Sequence, residues 1–258
     1  MRKSPFDPIN VLCVAITLAA SNPSSARTAN APATSWSLGA AAIWSSSPYR
    51  DYDNEALPVP IVNYEGRHFF LRGIVLGYRL LTVRNTELAV IASPEANQFL
   101  ARRSDDPRLR QLADRNVSGL AGVSWRVYGS WGGIQATAQK ELTGHGGGIM
   151  SDLSYGYTLQ EGRFALMPGA GLTYSSRALN DYYYGIRAKE VARSGLAPYR
   201  PDAALAPYLH LGLVYSLSRS WLLIGDFRLT VLPRTVEDSP MVDHDFTSSF
   251  LAGVSYAF

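Results

Sequence analysis

The chain is patterned in twos. Over 117–127, Val117, Gly119, Ala121, Val123 and Trp125 share one face, while Ser118, Gly122, Ser124 and Arg126 share the other. Successive side chains on a strand point to opposite sides, so this alternation predicts a strand with one apolar face. The same period returns over 131–140, 149–159, 164–174, 205–215 and 221–231, and again in the closing stretch. There Phe250, Ala252, Val254, Tyr256 and Phe258 stand opposite Leu251, Gly253, Ser255 and Ala257. Earlier, Trp36 and Trp44 bracket Leu38, Ala40 and Ala42 on one face of a first strand, like two interface anchors. Ile74, Leu76, Tyr78 and Leu80 then alternate with Val75, Gly77 and Arg79, and a further strand is expected over 87–91.

The connections alternate in length. Gly129-Ser130, Gln160-Glu161-Gly162 and Ser218-Arg219 are tight turns, whereas 45–58, 92–116, 141–148, 175–202 and 232–246 are long. Short periplasmic turns alternating with long external loops are the signature of a membrane barrel. Closure also removes the open edges that hydrocarbon does not tolerate. The expected fold is therefore all-β, an antiparallel transmembrane β-barrel. It has twelve strands if 61–73 forms a wall hairpin, and ten if that segment folds inward. Pro168 and Pro207 each lack a ladder donor and are expected at strand starts. A short helix is expected over 106–113. The chain ends on an aromatic, which looks like the closing strand of an outer-membrane barrel. Tyr256 and Phe258 would then be the signal read by the barrel-assembly machinery.

The start of the chain differs. Arg2 and Lys3 precede an apolar run over 9–20, followed by small residues, with Ser24 and Ala26 in cleavage geometry. This order predicts a secretory signal peptide over 1–26 and a barrel domain over 27–258. The run is too short for a membrane helix of about 20 residues. The only cysteine, Cys13, lies inside it, so the exported part would have no disulfide, thiolate nucleophile or cysteine metal site. With 15 Tyr, 5 Trp and 22 Gly the composition suits interface girdles and a bending wall. A formal charge of +3 gives no argument for a nucleic-acid partner, and export argues against one.

Little conventional chemistry stands out. Asp243-His244-Asp245, near Ser248 and Ser249, could pair a carboxylate with a histidine for general-base work, but no other catalytic motif accompanies it. His68, His145, His210 and His244 show no metal-ligand spacing. Gly144 to Gly148 follows a strand but opens no helix, so it reads as a mobile external loop rather than a phosphate loop. No cofactor is expected. By alternation, Arg79, Arg126, Asp152, Arg163, His210, Asp226 and Arg228 fall on the face away from lipid. They either pair and fill a narrow lumen or line a small anion-biased pore. Arg102, Arg103, Arg108, Arg110 and Arg115 could meet lipopolysaccharide phosphates, or belong to a solvated loop with Asp105, Asp106 and Asp114. The Tyr182-Tyr183-Tyr184 run is open between a contact patch and the external girdle.

Two segments carry a family resemblance. The first runs through Pro48, Tyr49, Arg50, Tyr52 and Asp53 to Asn63-Tyr64-Glu65-Gly66, then Arg72-Gly73. The second is Asn180 to Ile186, followed by Tyr199-Arg200-Pro201. Together they resemble the MipA/OmpV family over essentially the whole exported chain. The resemblance implies an outer-membrane barrel of a Gram-negative bacterium, in contact with outer-membrane lipids and lipopolysaccharide. It also implies a non-enzymatic scaffold linking a murein hydrolase and a murein synthase in the periplasm; some members are discussed instead as adhesins. The topology places the first segment on the external side, so a scaffold interface would fall to the short turns, the rim or 27–35.

Overall fold

The computed structural model describes residues 35–52, 56–95 and 97–258. The expected signal peptide, residues 27–34 and Asp53 lie outside the described residues. Strands β1 (Ser35–Ser45), β2 (Leu57–Glu65), β3 (Phe69–Arg72), β4 (Val75–Val83), β5 (Thr86–Glu95), β6 (Ser118–Gly129) and β7 (Gly132–Glu141) follow in order. They continue with β8 (Ile149–Gly156), β9 (Leu159–Glu161), β10 (Phe164–Ser175), β11 (Ala204–Ser216), β12 (Trp221–Val231) and β13 (Phe246–Ala257). Each pairs antiparallel with its neighbours, and β13 pairs with β1, so the sheet closes on itself. β8 and β9 both pair with β10 from the same side and form one interrupted wall strand. The result is a closed twelve-strand barrel. Residues 61–73 belong to the wall, which selects twelve over ten.

The prolines explain the irregularities. Pro168 lies within β10, paired with Leu211, rather than at its start. It has no N–H, so the ladder on its other side breaks between β8 and β9. Only its carbonyl is used there, accepting from Tyr157 N–H at 3.0 Å. Pro207 is likewise internal to β11, opposite Leu172. β11 and β12 begin pairing only at Tyr208, so Pro207 stands where that flank has no partner strand. Pro58 and Pro60 lie on β2, whose Leu57 to Val62 pair with β1 alone, because β3 has only four residues and joins β2 at Asn63, Tyr64 and Glu65.

The outer wall carries the alternating apolar side chains. Leu153, Leu209, Leu211, Phe227 and Phe250 are exposed around it. A continuous exposed apolar belt of this kind belongs against hydrocarbon, not water. Aromatics gather at the turn end, where Trp221 packs edge-on against Tyr256, and Tyr256 against Phe258. Phe258 N–H donates to the Trp36 carbonyl at 3.0 Å, tying the last residue across the closing seam.

Among the described residues the long connections carry secondary structure of their own. Helices α1 (Arg177–Tyr184) and α2 (Ala188–Ser194) lie between β10 and β11, and α3 (Arg234–Glu237) lies between β12 and β13. The helix expected over 106–113 is instead one short 3-10 turn, Leu109–Gln111, and a second, Ala101–Arg103, precedes it. Leu211 sits mid-strand on the lipid face. Leu211→Arg should destabilise the barrel by about 2–4 kcal/mol, read from urea unfolding in phospholipid vesicles.

Candidate functional site

Two clusters among the described residues frame the site. The first sits above the loop end of the barrel. Tyr49, Phe99, Leu109, Leu179, Tyr183 and Met241, drawn from separate loops, are buried in one cluster. Tyr49 Oη donates to the Tyr183 carbonyl at 3.4 Å, and Tyr183 Oη donates to Ser118 Oγ at 2.9 Å. Burial pushes both phenols up from their ordinary pKa, so they act as hydrogen-bonding apolar side chains. The tyrosine run is therefore the centre of a cap, neither a contact patch nor a girdle.

A buried ion pair pins the cap. Arg115 Nη2 lies 2.8 Å from Glu190 Oε1, with both side chains almost fully buried. The same guanidinium donates to the carbonyls of Ala113 and Gly185. Burial alone would push the Glu190 carboxyl up. Backbone N–H groups of Arg187 and Ala113, together with Arg115, outweigh it and hold the carboxyl below its ordinary value. Arg115 thus leaves the arginine group that was offered for phosphates. Arg108 and Arg110 pair with Asp106 and Asp105 within their own loop. The glycine-rich loop is also held: Glu141 accepts N–H bonds from His145 and Gly147, and the His145 ring stacks on Tyr182 at 4.9 Å.

The second is a charged cluster inside the turn-end half of the barrel. Arg72 lies 2.6 Å from Glu65 and 2.9 Å from Glu87, and Arg79 lies 2.6 Å from Glu87 and also pairs with Glu65. Two arginines and two carboxylates thus share every combination of contacts. The fully buried Phe70 ring lies beneath both guanidinium groups, at 4.0 Å from Arg72 and 4.9 Å from Arg79. Phe70 stands opposite Gly77, and a Cβ there would come within 2.0 Å of the ring. Gly77 is the residue that lets the ring lie flat under the charges. Asn63 accepts from Gly73 N–H at 2.9 Å, and Gly73 takes a positive φ of 60° to turn the chain into β4.

Between cap and cluster is a cavity of about 380 Å³. Arg126 projects into it and donates to Gln135 at 2.9 Å. Across from it Arg228 stacks on the Tyr208 ring at 3.5 Å and donates to Thr173 and Thr230. Asp152 accepts from Tyr208 Oη at 3.0 Å and from Thr173 Oγ1 at 2.9 Å. His210 and Asp226 form a separate pair at 3.3 Å. Arg163 stands apart from the set proposed for the lumen: it is exposed in the turn between β9 and β10.

The first resemblance segment splits in two. Pro48, Tyr49, Arg50 and Tyr52 build the cap, through bonds such as Arg50 N–H to the Met241 carbonyl at 2.9 Å. Asn63, Glu65, Gly66, Arg72 and Gly73 lie in the wall and the charged cluster, with Tyr64 against Trp36 outside. Only the first half is at the loop end, which corrects the expectation for the whole. Glu87 was missed, although Glu87 stands directly across from Arg126 in the β5–β6 register. Glu190 gave no local signal, being 75 residues from Arg115. Asp243 does hold His244 at 2.7 Å, but at the surface, while Ser248 bonds Ser46 instead.

A closed barrel with an apolar belt, aromatic ends and a charged interior is an outer-membrane β-barrel. The family model described as "MltA-interacting protein MipA" matches residues 38–258, and the chain belongs to that family. It is 36% identical over 223 residues to the MltA-interacting protein of Escherichia coli (strain K12), covering 86% of this chain and 90% of that one. It is 35% identical over 230 residues to the outer membrane protein YiaT of the same strain, covering 89% and 94%. Among solved structures, an outer membrane channel from Pseudomonas putida F1 overlays with a TM-score of 0.45 at 10% identity, covering 90% of this chain and 97% of that one.

The ion pair in the cap gives a pH dependence with a definite sign. The Glu190 carboxyl is held low in the folded cap, so its stabilisation is present above its unfolded pKa and fades as pH falls through the folded value. Proteolytic nicking of 176–203 should rise as pH drops below the ordinary carboxylate range. Glu190→Gln should be nicked readily at neutral pH, the cap losing about 3–5 kcal/mol by stranding Arg115. Unchanged protection in that variant would mean that the ion pair does not hold the cap.

Proposed function

We propose that this barrel is a non-enzymatic interaction protein of the envelope, a scaffold linking a murein hydrolase to a murein synthase. The observation that carries the reading is the packing of side chains at both ends of the axial path. The cap core lies over the loop end, and the Arg72–Arg79–Glu65–Glu87 cluster lies inside the turn-end half. A barrel so packed works through its surfaces. A relative named for its interaction with MltA supports the choice of a murein enzyme as partner.

The turn end offers a surface suited to that role. Four of the five short connections there carry an exposed arginine: Arg67, Arg84, Arg163 and Arg219. None forms an ion pair among the described residues. In a bacterial outer membrane this end faces the periplasm, where a basic ring steers an acidic partner face. Refolded protein in a planar bilayer should give no steady openings. A lytic transglycosylase should co-purify with it, and Arg84→Glu with Arg219→Glu should abolish that capture while leaving heat-modifiable migration unchanged. Ohmic conductance sensitive to Arg228→Ala would make a channel the better reading.

A further inference from the structure

Among the described residues the wall is least complete between β2 and β5. β3 ends at Arg72 and β4 begins at Val75, so their hairpin stops short of its neighbours. Above it, β2 pairs only with β1 from Leu57 to Val62. β5 runs past Ala92, its last partner on β4, and from Ser93 to Glu95 pairs only with β6. Two strand edges therefore flank a window in the loop-end half of the wall. Open edges in hydrocarbon leave backbone N–H groups unsatisfied. Pro58 and Pro60 on one edge and Pro94 on the other remove N–H groups where this exposure would arise. The loops roof the gap: Leu100 N–H donates to Tyr52 Oη at 3.1 Å, and Asp105 N–H to the Asp51 carbonyl at 2.7 Å.

The window meets the cavity. Leu57, Val75, Ser93 and Pro94, which border the gap, line the same 380 Å³ space as Arg126 and Arg228. Among the described residues no carboxylate lies within ion-pair distance of either arginine, although Glu87 faces Arg126 across the β5–β6 register and Asp152 shares Thr173 and Tyr208 with Arg228. Arg126 is bonded to Gln135, and Arg228 to two threonine hydroxyls over a tyrosine ring. Arginines outnumber carboxylates along this lining, Arg72, Arg103, Arg126 and Arg228 against Glu95 and Asp152, and that excess of positive charge in a space withdrawn from bulk water favours an anion. A ligand reaching them through the wall must first dissolve in the membrane.

We propose that the window between β2 and β5 is a lateral entrance through which an anionic amphiphile places its head group against Arg126 and Arg228, its acyl chain leaving through the gap. The cavity volume matches the lower range of small-molecule sites, about 300–1,000 Å³, so it holds the head and the first part of the chain. The axial packing described above is untouched by this route. A capture experiment with a murein enzyme and the test below can fail independently.

The test uses single bimane labels on a Cys13→Ser background in phospholipid vesicles, with heat-modifiable migration as the folding check. A label at Val75→Cys should be quenched by doxyl-labelled phosphatidylcholine several-fold more strongly than one at Thr137→Cys, which lines the cavity away from the gap. Leu57→Cys borders the same window and replaces Val75→Cys if that variant does not fold. Doxyl-stearic acid should quench the Thr137→Cys label more strongly than its methyl ester does. Arg126→Gln with Arg228→Gln should erase that preference. Equal protection of the Val75 and Thr137 labels from the phospholipid would overturn the entrance. Equal quenching by acid and ester would overturn the anion site.

Discussion

Everything in this molecule answers to one constraint: inside a bilayer a backbone N–H or C=O has no water to turn to. The ladder must therefore run from β1 around to β13 and back, and the Phe258 N–H bond to Trp36 fastens that seam at its last residue. The same constraint decides where proline is allowed. Pro168 splits β8 from β9, and Pro207 and Pro58 stand on flanks without a partner strand. In each case the missing donor coincides with a missing acceptor strand. The prolines are the points where the wall departs from regularity without leaving a donor unmet.

Inside the wall the same scarcity of water governs the charges. Arg72 and Arg79 are each placed between Glu65 and Glu87, so no one contact carries the neutralisation. The Phe70 ring beneath them covers apolar area and offers its negative face to both cations. In the cap, Arg115 and Glu190 repeat the pairing, with carbonyl and N–H groups taking further bonds and only Arg115 Nε left without one. Arg126 and Arg228 are the exceptions, satisfied by amides, hydroxyls and a ring rather than by carboxylates.

The fold was legible because strands announce themselves in a local period of two. The alternation 117–127 became Ser118–Gly129, and the alternation 221–231 became Trp221–Val231. What was not legible depends on contacts between loops far apart in the chain. Nothing near Tyr183 foretells Tyr49 or Ser118 as its partners, so the tyrosine run could not be assigned. The arginines of 102–115 gave the same difficulty, since only the fold brings Glu190 to Arg115. Glu87 was within reach, because an inward carboxylate facing an inward arginine is a register argument.

The halves of the segment that carries the family resemblance now have a common address. Tyr49 to Tyr52 sit in the loop that roofs the window, and Asn63 to Gly73 form the short hairpin that sets its sill. Asn63 holds Gly73 in its turn, and Glu65 holds Arg72, so these residues define how far β3 climbs before the chain reverses. A longer β3 would have closed the wall and left Leu57 to Val62 with a partner on both sides. The residues of this first resemblance segment are thus those that keep the hairpin short and the gap roofed. A packed axis alone would have required neither.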